Sequence, residues 1–234
     1  MNLQASISEF VGNVKYGETL GLVIANVSSV LRAEMGLSQN DRAIGIISNR
    51  TGAGSQVMAA DEAVKSTNAR VVSVELPRDT KGGPGHGCLI ILASEDVEDV
   101  RNAVQIALEN TERNFGEVYE FESGHLDLHY TARASHALNK GFNAPLGQAF
   151  GIIVGAPAGM GLVMADTALK AAPVELVNYM SPSKGTAHSN EVIITIAGDS
   201  EAVKQAVKAA REVGFSIAKS MGQNPVSVTG KPYI

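Results

Sequence analysis

Three polar residues alternate along one apolar segment and are the set in this chain best spaced to bind a metal ion. His125, Asp127 and His129 stand two residues apart within HLDLHYTA, residues 125–132. Successive side chains of a β-strand point to opposite faces, so all three are predicted to lie on one face. Imidazole and carboxylate are zinc ligands, but no cysteine or further carboxylate joins the set. We therefore favour a polar strand face at a subunit interface over a metal site.

The single cysteine, Cys88, begins a predicted strand beside a long loop. If the chain forms a symmetric trimer, three copies of Cys88 around the three-fold axis are candidate iron–sulfur ligands. One cysteine at a strand start is more typical of a small buried hydrophobic residue, and we favour that interpretation. Nothing in the spacing specifies a Ser-His-Asp triad, and no paired carboxylates on a pocket-forming helix indicate a reaction.

Two glycine-rich turns precede predicted helices, as phosphate-binding loops do. They read TGAGS at 51–55 and GAPAGMG at 155–161. Neither turn completes the P-loop motif G-x-x-x-x-G-K-[ST] or the dinucleotide-binding motif G-x-G-x-x-G. Neither is accompanied by the acidic residue that binds the ribose of a dinucleotide. We interpret both as tight turns that let a strand and a helix approach closely, and we predict no nucleotide site and no other cofactor.

The chain contains the same α/β unit twice. AIGII at 43–47 returns as AFGII at 149–153, CLIILA at 88–93 is matched by VIITIA at 192–197, and VRNAVQIALE at 100–109 by VKQAVKAARE at 203–212. The offset changes only from 106 residues (43 to 149) to 103 (100 to 203). Self-similarity at a fixed spacing marks a repeated structural unit. Two copies in one chain indicate a ring in which each subunit fills two equivalent places, and so favour an assembly protein.

Each copy reads as strand, helix, strand, strand, helix, and a further strand and short helix precede it. The predicted strands of the copies span 43–48, 70–76 and 88–93, and 149–154, 174–180 and 192–197. The first helices end near Lys65 and Lys170, and the last helices have one-sided apolar spacing. We predict an α+β fold of two tandem domains, residues 1–117 and 118–234. Each is expected to be a ferredoxin-like antiparallel sheet with helices on one face.

Composition excludes several classes of function. The chain has a net charge of −5, a pI of about 5.6 and no Lys/Arg cluster, so it lacks a basic surface that would bind the phosphate backbone of a nucleic acid. We therefore predict no nucleic-acid partner. The start MNLQASISEF lacks the features of a signal peptide, and one cysteine forms no intrachain disulfide, which together indicate the cytosol. Residues 141–165 carry no charge but include six glycines and two prolines, and we predict no membrane span.

Two long loops join the second and third strands of the copies. They are PRDTKGGPGHG, residues 77–87, and PSKGTAHSNE, residues 182–191. Each is far longer than a hairpin needs, and loops of this kind are usually functional. A solvated surface loop is the alternative. Asn49, Arg50 and Thr51 end the first strand and can face an opening bordered by such a loop.

The repeated strands, the helix ends DEAVK and DTALK and the glycine-rich loops resemble the tandem-domain shell proteins of bacterial microcompartments, those of propanediol-utilisation compartments in particular. The resemblance covers nearly the whole chain and includes long stretches such as TGAGSQVMAADEAVKSTN and GIIVGAPAGMGLVMADTALK. It implies a circularly permuted version of the domain. It also implies a structural protein rather than an enzyme: a homotrimeric tile that mimics a hexagon and packs with other shell proteins into a polyhedral shell in the cytoplasm.

The resemblance further implies roles for particular residues. Lys65 and Lys170 match the edge lysine of the family motif D-x-x-x-K and are expected at the tile rim. A small polyol such as 1,2-propanediol or glycerol is expected in an opening between the two repeats of one subunit, contacted by some of Asn49, Arg50, Thr51, Asp79, Ser183 and Thr186. The loop residues expected around the central axis are Thr80, Lys81, Gly82, Gly83, His86, Lys184, Gly185 and His188. The alternative is a soluble trimeric small-molecule sensor or enzyme on a ferredoxin-like repeat.

Overall fold

The computed structural model describes residues 8–77 and 87–234. In the first repeat the strands are β1 (Ser8–Val14), β2 (Thr19–Ile24), β3 (Ala43–Asn49), β4 (Arg70–Glu75) and β5 (Cys88–Ser94), and the helices are α1 (Ser29–Glu34), α2 (Gly54–Lys65) and α3 (Val97–Asn114). The strands form one antiparallel sheet in the order β1-β2-β3-β5-β4. The predicted order of elements is confirmed in this repeat.

The second repeat has the same order. Its strands are β6 (Val118–Phe121), β7 (Gly124–Thr131), β8 (Ala149–Ala156), β9 (Val174–Met180), β10 (Val192–Gly198) and β11 (Val226–Ser227), and its helices are α4 (His136–Phe142), α5 (Ala158–Ala171) and α6 (Ser200–Ser220). The antiparallel order is β11-β6-β7-β8-β10-β9. The sheets draw their strands from residues 8–94 and 118–227, and we keep 117/118 as the proposed domain boundary.

Strands β1, β6 and β11 were not predicted. β1 reads SEFVGNV, mixes glycine and polar residues with apolar ones, and lies half-exposed at a sheet edge, so it shows no clean alternation. β6 has four residues and β11 has two. Segments this short pair with a sheet because their neighbours are held in place by the rest of the fold.

Backbone hydrogen bonds identify equivalent residues in the two repeats. The N–H of Val27 donates to the carbonyl of Arg42 at 3.0 Å, and that of Ala134 donates to Gln148 at 2.7 Å. With the strand registers, these bonds give an offset of 107 residues (27 to 134) for β2 and α1 against β7 and α4. The offset is 106 (42 to 148) for β3 against β8, and 105 (65 to 170) for α2 against α5.

Glycines at equivalent strand positions let a long helix lie close on each sheet. A Cβ at Gly45 would come within 2.6 Å of Val104 in α3, and one at Gly151 within 2.9 Å of Val207 in α6. Contacts this short leave no room for a side chain. Helices α2 and α3 thus share one face of the first sheet, and α5 and α6 share one face of the second, as predicted.

The two repeats share a hydrophobic core, because α2 lies between the two sheets. The cluster joins residues of the first sheet, α2, α4 and the face of the second sheet opposite α5 and α6; they include Ile47, Ile90, Leu92, Val57, Met58, Leu138, Phe150, Ile152 and Val154. That face of the second sheet is therefore buried by the chain's own first repeat.

Buried Glu117 ties residues 233 and 234 to the junction of the repeats. Its carboxylate accepts hydrogen bonds from the N–H of Ile234 at 2.7 Å, from the N–H of Tyr233 and from the hydroxyl of Tyr119 at 3.0 Å. Arg211 Nη1 lies 3.5 Å from Glu117 Oε2, the oxygen that accepts from Tyr119, and offsets the negative charge of the carboxylate. Apart from Tyr119, these partners are too far from Glu117 in sequence to be read from a local pattern.

No helix among the described residues is long and apolar enough to cross a membrane. The uncharged stretch 141–165 folds as the end of α4, the whole of β8 and the first half of α5.

Candidate functional site

A cavity lies at the boundary between the two repeats, near the start of α2. It contains about 590 Å³ of empty space, part of it open to solvent. The first repeat contributes Ala53, Gly54 and Leu76, and the second contributes His125, Asp127, Phe142, Ile152, Val154, Met180, Gly185, Glu191 and Ile193. Most of the wall is apolar, with polar groups at one side, which is the usual composition of a small-molecule site.

Two histidine–carboxylate contacts lie at the polar side of the cavity, which is lined by His125, Asp127 and Glu191, with His129 behind Asp127. His125 Nε2 lies 3.5 Å from Glu191 Oε2, and His129 Nε2 lies 2.5 Å from Asp127 Oδ1. His129 is fully buried, and Asp127 and Glu191 are nearly so. Within the described chain, His125 Nε2 has no partner in hydrogen-bond geometry, and His125 lines the cavity. A buried polar atom left in this state costs about 1 to 3 kcal/mol, so a bound hydroxyl or water is favoured here.

The start of α2 brings the first repeat against these groups. Gly54 opens the helix, and a Cβ built on it would lie 2.7 Å from His129 Cδ2 and 3.1 Å from Asp127 Oδ2. Glycine is therefore required for this approach. No side chain caps α2 at its own N-cap residue, Ala53, and the Asp127 carboxylate lies where negative charge stabilises the first turn of a helix.

The structure puts His125, Asp127 and His129 on one strand face, as predicted. They belong to β7, and all three face the inter-repeat boundary. Among residues 8–77 and 87–234 no group of three or more His, Cys, Asp or Glu side chains is arranged to hold a metal ion. The interface that this strand face meets is the one between the repeats of a single chain.

Two of the predicted polyol contacts are used by their own loops. Asn49 is buried, donates to the carbonyls of Thr51 and Gly52, and accepts from the N–H of Cys88 at 2.7 Å. Thr186 is also buried, and its hydroxyl donates to the carbonyl of Ser181 at 2.9 Å. Both side chains therefore shape the backbone beside the opening.

Three other predicted contacts stand close in sequence to residues that line the cavity. Arg50 and Ser183 are exposed and Thr51 is half-buried. None of them lines the cavity, but their neighbours Gly54 and Gly185 do. Residues of the turn after β3 and of the loop 182–191 thus line one cavity. Asp79 lies outside the described residues.

The loop expected at the central axis is described only in the second repeat. Lys184, Gly185 and His188 are exposed, and Gly185 and His188 have φ values of 93° and 68°. Lys184 Nζ lies 5.6 Å from the ring centroid of Tyr179, a cation–π contact. Thr80, Lys81, Gly82, Gly83 and His86 of the first repeat's loop lie outside the described residues.

The two lysines expected at the rim differ in their surroundings. Lys65 Nζ lies 3.0 Å from buried Asp61 and 2.8 Å from Glu62, and its side chain is only 23% exposed. Lys170 pairs with Asp166 at 2.6 Å, and its side chain is 74% exposed. The same helix position is therefore partly covered in the first repeat and open in the second.

Cys88 lies in the shared core with no exposed surface. Burial raises the pKa of its thiol to about 12, although the backbone hydrogen bond with Asn49 acts in the opposite direction. Cysteine binds metals and reacts as the thiolate, which this environment disfavours. The buried-hydrophobe interpretation agrees with this position.

Sequence reasoning missed Asp61 and Glu191. Asp61 stands in the repeated helix end DEAVK and was not singled out, because its partners, the N–H groups of Ser135 and Leu138, are more than 70 residues away. Glu191 ends a loop that was treated as exposed, yet it is 1% exposed. A carboxylate directly before an apolar strand was the available signal.

The fold and the inter-repeat arrangement define a class of protein. The family model of the BMC domain matches residues 43–123 and 149–226, more than half of the chain. The chain therefore belongs to the BMC-domain family, as a tandem-domain shell protein of bacterial microcompartments. This confirms the family expected from the sequence.

Particular relatives are similar over almost the whole chain. The bacterial microcompartment shell protein PduB of Salmonella typhimurium (strain LT2) is 59% identical over 220 residues, which are 94% of this chain and 81% of that protein. The crystal structure of EtuB from Clostridium kluyveri has a TM-score of 0.92 at 55% identity and covers 98% of this chain and 100% of its own. That of a trimeric bacterial microcompartment shell protein PduB has a TM-score of 0.91 at 50% identity and covers 97% and 99%. Relatives named as shell proteins agree with the prediction of a structural protein rather than an enzyme.

Proposed function

We propose that this chain forms a homotrimer in which six BMC domains make one hexagonal tile of a microcompartment shell in the cytoplasm. The observation that carries the proposal is the internal repeat, because two domains joined at one interface fill two of six equivalent places. A relative at 50% identity is described as trimeric, which supports three chains in the assembly of this protein. Native mass spectrometry at micromolar protein concentration is expected to give the mass of three chains. A stable monomer or dimer would contradict the proposed trimeric tile.

Lateral packing with other shell proteins is the second part of the proposal. We place Lys65 and Lys170 at the rim, where the family motif puts its edge lysine. Replacing both with alanine is expected to abolish extended sheets in electron micrographs while the trimer persists. A wild-type protein that stays a discrete trimer at high concentration would favour a sensor or enzyme instead.

The third part concerns solutes: small polyols such as 1,2-propanediol or glycerol pass through the opening between the two repeats of one subunit. The cavity there supports this, because polyol hydroxyls both donate and accept, and His125, Asp127 and Glu191 offer complementary groups beside an apolar wall. The residues proposed to form its mouth, some of them in contact with the polyol, are Asn49, Arg50, Thr51, Asp79, Ser183 and Thr186.

Weak binding suits a conduit. With a few net hydrogen bonds of about 1 kcal/mol each and association entropy to overcome, we expect a dissociation constant of roughly millimolar. We place Lys184, Gly185 and His188, with residues 80–83 and 86, around the separate central axis of the trimer.

The repeat makes this polyol site a feature of one boundary only. Asp127 pairs with Val154 in the sheet, and the equivalent of Val154 is Ser48, which pairs with Leu20. Leu20 therefore stands where Asp127 does, at the boundary between subunits. The proposal is three polyol sites in a trimer, one for each chain, rather than six.

A substitution taken from the other repeat tests the site. Asp127→Leu is expected to remove density for glycerol or propanediol from soaked crystals while leaving the trimer intact. The double variant Ser183→Ala, Asp79→Ala tests the proposed mouth of the cavity. It should lower the occupancy of the polyol in soaked crystals without removing the cavity. Polyol found only on the three-fold axis, or unchanged in Asp127→Leu, contradicts the inter-repeat conduit.

A further inference from the structure

A second cavity lies at the boundary between the repeats, beside the second half of α2. It contains about 980 Å³ of empty space, part of it open to solvent. Four basic side chains line it, one from each of four segments: Lys65 of α2, Arg113 of α3, Arg133 before α4 and Lys204 of α6. We call it the cationic cavity. Its basic residues are far apart in the sequence, so no local run of lysine or arginine marks it.

Most of this positive charge has no carboxylate beside it. Of the described residues that line the cavity, Glu62 alone is acidic, and its Oε1 lies 2.8 Å from Lys65 Nζ. Lys65 Nζ is also 3.0 Å from Asp61, so the charge of Lys65 is balanced. The lining cations that make no salt bridge within residues 8–77 and 87–234 are Arg113, Arg133 and Lys204. Three positive charges at the wall are therefore uncompensated within the described chain.

Arg113 is held at the wall by an aromatic ring. Its guanidinium carbon lies 5.1 Å from the ring centroid of Tyr233, a cation–π contact. The segment that carries this ring is itself fixed, because Glu117 accepts from the N–H groups of Tyr233 and Ile234, and Arg211 Nη1 donates to the carbonyl of Ile234 at 3.0 Å. Burial raises the pKa of Tyr233, so the phenol stays neutral and adds no negative charge. The cation therefore has a defined place beside the cavity.

The equivalent positions of the other repeat carry no uncompensated charge. The equivalents are Asn26 for Arg133, at an offset of 107 (133 − 26), and Ser216 for Arg113 and Arg101 for Lys204, at an offset of 103 (216 − 113 and 204 − 101). Arg101 is paired with Glu9 at 2.6 Å and with Glu98. The same fold thus forms without unpaired cations at these places. Since like charges near one another repel, their presence in one repeat calls for a reason other than folding.

We propose that the cationic cavity binds a small phosphate-bearing anion through Arg113, Arg133 and Lys204. Arginine presents a planar fork of donors that matches phosphate oxygens, and lysine adds a point charge. A phosphate monoester carries a charge of about −1.5 to −2 at pH 7, so it offsets more of the three positive charges than one carboxylate does. The source of the phosphate group is an inorganic ion or a phosphate ester, whose carbon chain would lie against Met58 and Tyr130 of the wall. This site belongs to a single chain and depends neither on the trimer nor on the polyol conduit.

Calorimetric titration of the full chain tests the binding and its source. Inorganic phosphate, pyrophosphate and glycerol 3-phosphate are titrated separately at low ionic strength, and one site for each chain is expected. Added sodium chloride should weaken the binding, because salt screens charges that are partly exposed to solvent. Tighter binding of glycerol 3-phosphate identifies an ester as the ligand, and tighter binding of phosphate or pyrophosphate identifies an inorganic ion. A wild-type chain that binds none of the three overturns the proposal.

Variants taken from the other repeat test the residues. Arg133→Asn and Arg113→Ser are each expected to weaken pyrophosphate binding about tenfold, the usual cost of losing one hydrogen bond to a charged group. Arg133→Gln and Arg113→Gln keep more of the side chain and replace the first two if either lowers the urea midpoint. Lys204→Gln is expected to weaken binding as much. Its matched control is Lys208→Gln, one turn further along α6, which is exposed and does not line the cavity.

The control separates a built site from general attraction between charges. Lys208→Gln should bind pyrophosphate within about twofold of wild type, because an isolated surface charge contributes little. An equal loss in Lys208→Gln and Lys204→Gln would show non-specific attraction and overturn the proposal. Crystals soaked in pyrophosphate should show the anion in contact with Arg113, Arg133 or Lys204, and density only at another place overturns it as well.

Discussion

Replacing Asp61 by alanine is expected to weaken the contact between the repeats more than any surface substitution. Its carboxylate accepts from two backbone N–H groups, that of half-buried Ser135 and that of buried Leu138, at 3.0 to 3.1 Å. Hydrogen bonds to a charged group contribute about 1.5 to 3 kcal/mol each. Burial of the carboxylate outweighs these bonds in its pKa, but alanine removes the acceptor of both N–H groups, which costs about 1 to 3 kcal/mol for each donor left unpaired. We therefore expect Asp61→Ala to lose about 3 kcal/mol of unfolding free energy.

Urea denaturation at fixed protein concentration and pH 7 measures this loss as a shift of midpoint at constant m-value. Asp99→Ala is the control, because the hydrogen bonds that Asp99 accepts among the described residues are exposed ones from Asn68 at 3.3 Å, and the change should cost no more than about 0.5 kcal/mol. Asp61→Asn keeps one acceptor oxygen and should fall between the two. A loss below about 1 kcal/mol for Asp61→Ala would show that the carboxylate does not hold the repeats together.

The pH dependence of the same residue has a defined sign. Burial raises the pKa of Asp61, although Lys65 and the two backbone hydrogen bonds act against the shift. A raised carboxyl pKa means that the folded chain binds the proton more tightly than the unfolded chain, whose Asp pKa is about 3.9. The associated stability is present below that value and is lost as the pH rises through the folded pKa. Wild type should therefore exceed Asp61→Asn in stability by more at pH 4 than at pH 7, and an equal or reversed difference contradicts the shift.

Three further predictions use positions with clear structural contrasts. Gly54→Ala should lower the free energy of unfolding by about 1 to 3 kcal/mol in the same urea titrations, because its Cβ would lie 2.7 Å from His129. A Cβ at Gly159 would have no heavy atom within 4 Å, so Gly159→Ala should leave the free energy of unfolding unchanged or raise it by up to about 1 kcal/mol. The thiol of Cys88, with a pKa raised to about 12, should react with a disulfide reagent at pH 8 only after denaturation, and rapid reaction of the native protein contradicts its burial. Ala187 has φ of 49°, so Ala187→Gly should raise the midpoint of thermal unfolding by a few degrees, and a fall would show that this loop conformation is not strained.

Sequence alone determined the repeat, the order of its elements and the family. AIGII and AFGII became the equivalent strands β3 and β8, and the one-sided apolar spacing became α3 and α6, because hydrophobic periodicity is set by local geometry and survives in any tertiary arrangement. The alternation of His125, Asp127 and His129 likewise fixed their common face.

Only the tertiary structure decided what those faces meet. The pattern of α2 and α5 is nearly the same, yet Asp61 is buried on α4 and Asp166 is open, because burial depends on which neighbour the chain brings against each copy. In the same way, only the structure shows that Asn49 is buried and bonded to the backbone of its own turn and of Cys88, since its partners are backbone groups that sequence does not distinguish. Contacts between segments a hundred residues apart follow from packing, and a periodic pattern records only that a face is apolar, not what covers it.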